Sequence, residues 1–94
     1  MNEKIICIYS IKNVVNGHFY IGSAINLKSR LKKHFNLLRN KKHHSIRLQR
    51  AFDKYGEKSF KVDIIEHIND SNVLIQREQY WINFLIIRFT VAEL

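Results

Sequence analysis

Two short apolar runs near the start of the chain predict a β-hairpin. The run from Ile5 to Ile11 is rich in β-branched residues, which strands favour. The run from His18 to Gly22 returns after a turn in which Asn16-Gly17 is the strongest turn signal. Two antiparallel strands are therefore expected over the first quarter of the chain.

The register of this hairpin decides whether its two tyrosines meet. If the turn centres on Val14 and Val15, Tyr9 and Tyr20 lie directly opposite one another on the same face. A slip of one residue would move one of them to the other face, because side chains alternate along a strand. The sequence leaves both registers open.

After the hairpin, the apolar residues recur with helical spacing. Asn26 is a candidate N-cap for a helix to about Leu38, and Ser45 caps a second helix that Gly56 ends. The segment between them, residues 39–44, is a basic connection. The apolar stripe of the first helix consists of Leu27, Leu31, Phe35 and Leu38.

A strand and a third helix complete the pattern. Phe60 to Ile65 predicts a strand, and Asp70 or Ser71 caps a helix that runs to Asn83 or Leu85. Its expected core-facing residues are Leu74, Ile75, Trp81, Ile82 and Leu85. The apolar run at residues 84–87 either extends this helix or forms a short extended segment.

The order of elements predicts an α+β fold, in which a small antiparallel sheet is covered by about three helices. With 94 residues and no linker-like or repeated segment, residues 1–94 are expected to form one domain. This range includes the tail at residues 86–94.

Composition narrows the classes of partner. The net charge is +8, with 16 Lys and Arg residues against 8 acidic residues, which favours a polyanion such as nucleic acid over a membrane surface. No apolar run approaches the roughly 20 residues of a membrane span, and no signal peptide is evident, so we expect an intracellular protein. The single cysteine, Cys7, excludes an internal disulfide and is expected to pack in a strand.

Glu78 is the most informative acidic residue. It follows Leu74 by four positions and precedes Trp81 by three, so the helical period directs it toward the core side. A carboxylate in that position needs compensation. An ion pair with an arginine is one possibility, and a hard divalent cation held by one carboxylate, water and a substrate phosphate is the other.

Basic residues offer candidate contacts for a phosphate. Gly22 permits close backbone approach, and Arg30 near the following helix start has a planar fork suited to phosphate. Alternatively, Gly22 only ends the strand, and Arg30 is a solvated helix residue. His43 and His44 suit phosphate contact or proton transfer, or they belong to a solvated loop.

An ordered set of motifs resembles the GIY-YIG nuclease domain. The set comprises Ile8-Tyr9, Tyr20-Ile21-Gly22, Arg30, His43 and Glu78 across residues 5 to about 85. The resemblance is greatest to phage and organellar homing endonucleases of that family. It implies a three-stranded antiparallel sheet flanked by helices, and metal-dependent hydrolysis of DNA phosphodiester bonds.

The resemblance also implies roles for individual residues. Tyr9 and Tyr20 correspond to the motif tyrosines, Arg30 to the catalytic arginine, His43 to the catalytic histidine, and Glu78 to the ligand of one Mg²⁺ or Mn²⁺ ion. No small-molecule cofactor is implied. The residues expected at the DNA are Gly22, Ser23, Lys33, His34 and His44.

Two departures from the family pattern support a rival hypothesis. Cys7 stands where the first motif has glycine, and residues 86–94 contain no asparagine, which the family has after its last helix. The rivals are a catalytically weak or inactive nucleic-acid-binding domain and a restriction or repair nuclease. Because nothing follows Leu94, where homing enzymes attach a DNA-binding region, weak DNA binding is expected. Phage and organellar origins are not distinguished.

Overall fold

The computed structural model describes residues 4–88, with side chains as far as residue 85. Three strands and three helices follow one another along the chain in the predicted order. They are β1 (Cys7–Asn13), β2 (Phe19–Ala24), α1 (Leu27–Arg39), α2 (Ile46–Tyr55), β3 (Phe60–His67) and α3 (Leu74–Arg88). Short 3₁₀ turns at Glu57–Ser59 and Ser71–Val73 precede β3 and α3.

The sheet is antiparallel in the order β2-β1-β3, so the first strand lies in the centre. One face carries Cys7, Tyr9 and Ile11 and packs against leucines of α1 and α2. The opposite face carries Ile8 and packs against Trp81 of α3. Alternation of side chains along β1 therefore divides the core into two layers, which confirms the predicted α+β class.

The hairpin register differs by two residues from the one that would place the two tyrosines opposite each other. Tyr9 pairs with Gly22, and Tyr20 pairs with Ile11, so the two tyrosines are not directly opposite. The five-residue connection 14–18 explains the shift, because its turn closes with the Gly17 N–H donating to the Asn13 carbonyl at 2.8 Å. A shift of two preserves the face, and both tyrosines still point toward α1 and α2.

Local capping residues fix the first two helices as predicted. The Asn26 side chain accepts a hydrogen bond from the Ser29 N–H, and the Ser45 side chain accepts one from the Leu48 N–H. Gly56, with φ of +84°, ends α2 in a conformation that side chains disfavour.

The third helix departs from the prediction in two ways. Asp70 caps the 3₁₀ turn, and α3 itself begins at Leu74 and continues to Arg88, so residues 84–87 extend the helix. Ile75 is 80% exposed, and its expected place in the core is wrong. It lies about 100° around the helix from the buried Leu74, on the solvent side. Residues 89–94 of the predicted tail lie outside the described residues.

A β-bulge in β3 brings a carboxylate to the α3 face. The register with β1 changes between Ile8 and Tyr9, which pair with Glu66 and Ile64. Glu66 therefore shares the face of Ile8. Its Oε1 accepts hydrogen bonds from Arg77 Nε at 2.8 Å and from Trp81 Nε1 at 3.0 Å, which fastens α3 to the sheet.

Candidate active site

The Tyr9 side chain lies across a glycine on the neighbouring strand. Tyr9 is 1% exposed, and its partner in β2 is Gly22. A Cβ atom at residue 22 would overlap the Tyr9 hydroxyl and the ring carbon that bears it. Gly22 is therefore required by the close approach of the Tyr9 phenol, a role that the sequence-based prediction for Gly22 did not include.

A chain of hydrogen bonds leads from the Tyr9 hydroxyl into the protein. The hydroxyl lies 2.5 Å from His34 Nε2, and His34 Nδ1 lies 2.7 Å from His43 Nε2. On the far side, the Ser45 N–H donates to His43 Nδ1 at 3.0 Å. The four groups connect β1, α1 and the start of α2.

His34 and His43 are both internal. Their exposed fractions are 4% and 7%, and their rings stack with centroids 4.9 Å apart. The solvated-loop interpretation is thus wrong for His43. Gln49 fixes the connection between α1 and α2 that carries His43. Its Oε1 accepts from the His43 N–H, and its Nε2 donates to the Leu38 carbonyl.

His34 is predicted to lie at the DNA, but its two ring nitrogens contact Tyr9 and His43. A signal for its burial was present in the sequence. His34 follows Leu31 by three positions and precedes Leu38 by four, so it lies on the apolar stripe of α1. Periodicity alone does not reveal its hydrogen-bond partners.

Tyr20 meets the same histidines from the edge strand. Its ring centroid lies 5.5 Å from that of His34 and 6.1 Å from that of His43, in edge-to-face contacts. Its hydroxyl lies 3.3 Å from Nε2 of His44, which is exposed. Both tyrosines therefore converge on the histidine cluster, although they do not face each other across the hairpin.

Burial controls the protonation of the inner groups. It raises the pKa of the Tyr9 phenol, an effect to which Tyr20 and Glu78 add and which the Arg30 guanidinium opposes. Burial, followed by the neighbouring rings of His43 and His44, lowers the pKa of His34 to about 4. Tyr9 and His34 are consequently neutral near pH 7.

Arg30 lies at the outer edge of this cluster, in the first turns of α1. It is exposed and, among residues 4–88, has no carboxylate partner. It lines an open cleft of about 280 Å³ together with Ile25, Asn26, Ser29 and Lys33. The cleft thus combines a guanidinium and an ammonium group, as a bound phosphate would require.

Glu78 is half-buried on α3 and acts electrostatically on Tyr9. In the part of the chain that the structure describes, its carboxylate has neither a hydrogen bond nor an ion pair. The neighbouring Arg77 instead binds Glu66 and stacks on Tyr80, with its guanidinium carbon 4.3 Å from the ring centroid. An arginine partner for Glu78, one of the two alternatives, is therefore not found within residues 4–88.

The donor set at Glu78 fits a weakly held, hard cation. Residues 4–88 contain no group of three or more His, Cys, Asp or Glu side chains arranged to hold a metal ion. A single unpaired carboxylate suits Mg²⁺ or Mn²⁺, which retain water and bind substrate phosphate as further ligands. It does not suit zinc, which requires three or four protein ligands.

The remaining predicted residues differ in position. Lys33 lies in the cleft beside Arg30, as a DNA contact requires. Ser23 pairs with Ile8 and so lies on the α3 face of the sheet, away from Tyr9. Cys7 is fully buried between Ala24 of β2 and His67 of β3, which confirms its predicted packing role.

Comparison with known proteins identifies the family. The model of the GIY-YIG catalytic domain matches residues 5–85. The chain belongs to the GIY-YIG family. It is 43% identical over 79 residues to intron-associated endonuclease 1 of Enterobacteria phage T4, and 42% identical over 71 residues to a probable intron-encoded endonuclease 1 of Neurospora crassa.

Solved GIY-YIG structures confirm the fold. The catalytic domain of homing endonuclease I-TevI superposes with a TM-score of 0.81 at 37% identity, over 95% of this chain and 97% of that one. A glutamate-to-alanine mutant of the I-TevI catalytic domain gives a TM-score of 0.80 at 40% identity, over 87% and 84% of the two chains.

The matches cover most of this chain and a minor part of its curated relatives. They span 83% of the chain but 32% of the phage protein, and 76% of the chain but 22% of the fungal protein. Within residues 4–88, none of the helices has both the length and the apolar character needed to cross a lipid bilayer.

Proposed function

We propose that this chain is the catalytic module of a DNA endonuclease, which hydrolyses phosphodiester bonds with the aid of one Mg²⁺ or Mn²⁺ ion held by Glu78. The observation that carries the proposal is the half-buried Glu78 carboxylate, which has no hydrogen bond or ion pair within residues 4–88. Both Glu78 and the Arg30 guanidinium act electrostatically on the buried Tyr9 phenol. The names of the phage and fungal relatives, both endonucleases, support it.

The charges of the site have distinct tasks in this reaction. A bound divalent cation would supply positive charge to stabilise the departing oxygen. The Arg30 guanidinium binds and neutralises the scissile phosphate, with Lys33 beside it in the same cleft. The Tyr9 hydroxyl, fixed by His34, positions the attacking water by a hydrogen bond.

The proposed substrate agrees with the overall charge. A chain with net charge +8 attracts a polyanion, and phosphate contacts made by Lys and Arg weaken as salt increases. The phage and fungal sources of the relatives support action inside a cell, on a phage or an organellar genome. The kinship with a phage and a fungal intron endonuclease supports a homing role.

The experiment is nicking of supercoiled plasmid with Mg²⁺ or Mn²⁺. We expect Glu78→Gln and Arg30→Ala to lower the rate by at least about 100-fold, the usual effect of losing one electrostatic group in a site. Matched controls are Asp63→Asn on β3 and Arg50→Ala on α2, which remove the same charges from exposed positions.

The outcome also separates the rival hypotheses. Undiminished nicking by Glu78→Gln and Arg30→Ala, with the controls unchanged, would refute the proposed site. DNA binding without cleavage under either metal would instead favour an inactive binding domain. Of the two departures behind that rival, Cys7 does not favour it, because the core accommodates this residue fully buried at the position of the motif glycine.

A further inference from the structure

We propose that the backbone N–H of Ser45 sets the proton positions along the His43–His34–Tyr9 chain, so that His34 donates to the Tyr9 oxygen and His43 is a positioning residue behind it. The inference deepens the proposed function and rests on it only for its effect on DNA cleavage. It gives His43 a role through His34, where the family resemblance implies direct participation.

The direction of the hydrogen-bond chain follows from the Ser45 N–H. A neutral imidazole has one N–H and one lone pair on its two nitrogens. Because the Ser45 N–H points at His43 Nδ1 from 3.0 Å, that nitrogen must carry the lone pair. The proton of His43 is then on Nε2, from which it is donated to His34 Nδ1 at 2.7 Å.

The position of the His34 proton is fixed in the same way. Since His34 Nδ1 accepts, its proton is on Nε2, which lies 2.5 Å from the Tyr9 oxygen. The opposite order would place the Nδ1–H of His43 against the Ser45 N–H, two donors facing each other. Only one order of tautomers therefore satisfies all three contacts.

The start of α2 fixes the Ser45 N–H, the donor at which the hydrogen-bond chain begins. Ser45 is the N-cap of α2, and its Oγ accepts from the Leu48 N–H at 3.2 Å. The preceding His43 N–H donates to Gln49 Oε1 at 3.1 Å, on the first turns of the same helix. The donor that polarises the histidines is thus a backbone group fixed by the helix cap.

The consequence appears at Tyr9. A hydroxyl that accepts from His34 does not give its own proton to that ring, so the Tyr9 O–H donates to the substrate side of the site. If Tyr9 loses this proton during the reaction, the His34 N–H remains as a donor to the phenolate oxygen. Burial of two histidines behind one tyrosine is explained by this arrangement.

The direct test is the ¹⁵N NMR spectrum of the histidine rings in the wild-type protein at pH 7.5. The expected result is that His34 and His43 are both protonated at Nε2. A proton at Nδ1 of either ring, or a charged ring, would overturn the inference. Ser45→Ala is the control, since it removes the Oγ cap, retains the N–H, and is expected to leave both tautomers unchanged.

A pair of substitutions extends the test to activity. In His43→Gln the amide nitrogen takes the place of Nε2 and still donates to His34, whereas in His43→Asn the amide is too short to reach. We expect the Asn variant to cleave plasmid at least tenfold more slowly than the Gln variant, with His34 changing its tautomer only in the Asn variant. Equal rates and equal tautomers in the two variants would contradict the positioning role.

Failure of the two proposals is distinguishable. A wild-type chain that shows both Nε2–H tautomers but cleaves no DNA under Mg²⁺ or Mn²⁺ overturns the proposed function and supports the hydrogen-bond chain. A chain that cleaves DNA with His34 protonated at Nδ1 overturns the hydrogen-bond chain alone.

Discussion

The Tyr9 phenol occupies the space that a side chain at Gly22 would need. The two residues pair across β1 and β2, and a Cβ atom at residue 22 would overlap the Tyr9 hydroxyl. This relationship couples the second sequence motif to the first, because the glycine of one permits the tyrosine of the other to reach His34.

Gly22→Ala is expected to lower the free energy of unfolding by about 1 to 3 kcal/mol, since the Tyr9 ring must leave its position in the core. Urea denaturation measures this cost. The double-mutant cycle with Tyr9→Ala is the control, because the clash disappears when the ring is removed. A cost of the same size in both backgrounds would show that Tyr9 is not the neighbour responsible.

Tyr9→Phe tests the hydroxyl separately from the ring. The variant keeps the packing but leaves His34 Nε2 without its partner, which costs roughly 1 kcal/mol of stability. Plasmid nicking is expected to fall by at least about 100-fold, a typical effect of losing a group that handles a proton or positions water. Tyr80→Phe, at an aromatic residue that is 46% exposed, is the matched control. Nicking by Tyr9→Phe at the wild-type rate would remove Tyr9 from the mechanism.

Stability is expected to fall on mild acidification. The pKa of His34 is lowered from 6.5 to about 4 in the native protein, so between these values the unfolded chain binds a proton that the native chain does not. The free energy of unfolding therefore falls by on the order of 3 kcal/mol in total as the pH falls through that window. Above the window, His34 does not change the stability.

Urea denaturation at pH 7.5 and pH 5 measures this dependence. His34→Gln is expected to weaken it, because the variant has no proton to bind at this position. Part of it is expected to persist, because burial also lowers the pKa of His43. His67→Gln replaces an exposed histidine on β3 and is expected to retain the dependence. An unchanged pH dependence in His34→Gln would place its origin elsewhere.

The attachment of α3 to the sheet gives a prediction about Glu66. Its carboxylate accepts from Arg77 and Trp81, but both members of the Arg77 ion pair are about one third exposed. Solvent screening limits the pair, so Glu66→Ala is expected to cost only about 1 kcal/mol. Glu66→Gln keeps an acceptor for the indole and is expected to cost less. Urea denaturation followed by fluorescence of Trp81, the single tryptophan, measures both, and equal costs would argue against the indole contact.

The sequence predicted the elements whose signals are local. Asn26, Ser45 and Gly56 fix the ends of α1 and α2 through contacts within one turn, and each was recognised. The hairpin register depends on how a five-residue connection closes, which no local pattern shows. Ile75 is apolar and adjoins Leu74, but the helical period places it on the solvent side.

The candidate site was predictable as a set of residues and not as a network. Tyr9, Tyr20, Arg30 and Glu78 follow from the ordered motifs. The bond from His34 to Tyr9 spans 25 residues, and the burial of His43 depends on Gln49, so neither is encoded in a local pattern. Long-range hydrogen bonds become visible only when α1 and α2 are packed on the sheet.

The proposed function has one divalent cation bound by the Glu78 carboxylate. Paramagnetic broadening by Mn²⁺ in the ¹⁵N-labelled chain tests it directly, because it detects weak binding without cleavage. We expect substoichiometric Mn²⁺ to broaden the amide signals around Glu78, Gly22 and Arg30 first, and Glu78→Gln to abolish this while Asp63→Asn retains it. Broadening that is unchanged in Glu78→Gln, or that is centred on other surface carboxylates, would show that Glu78 does not hold the ion.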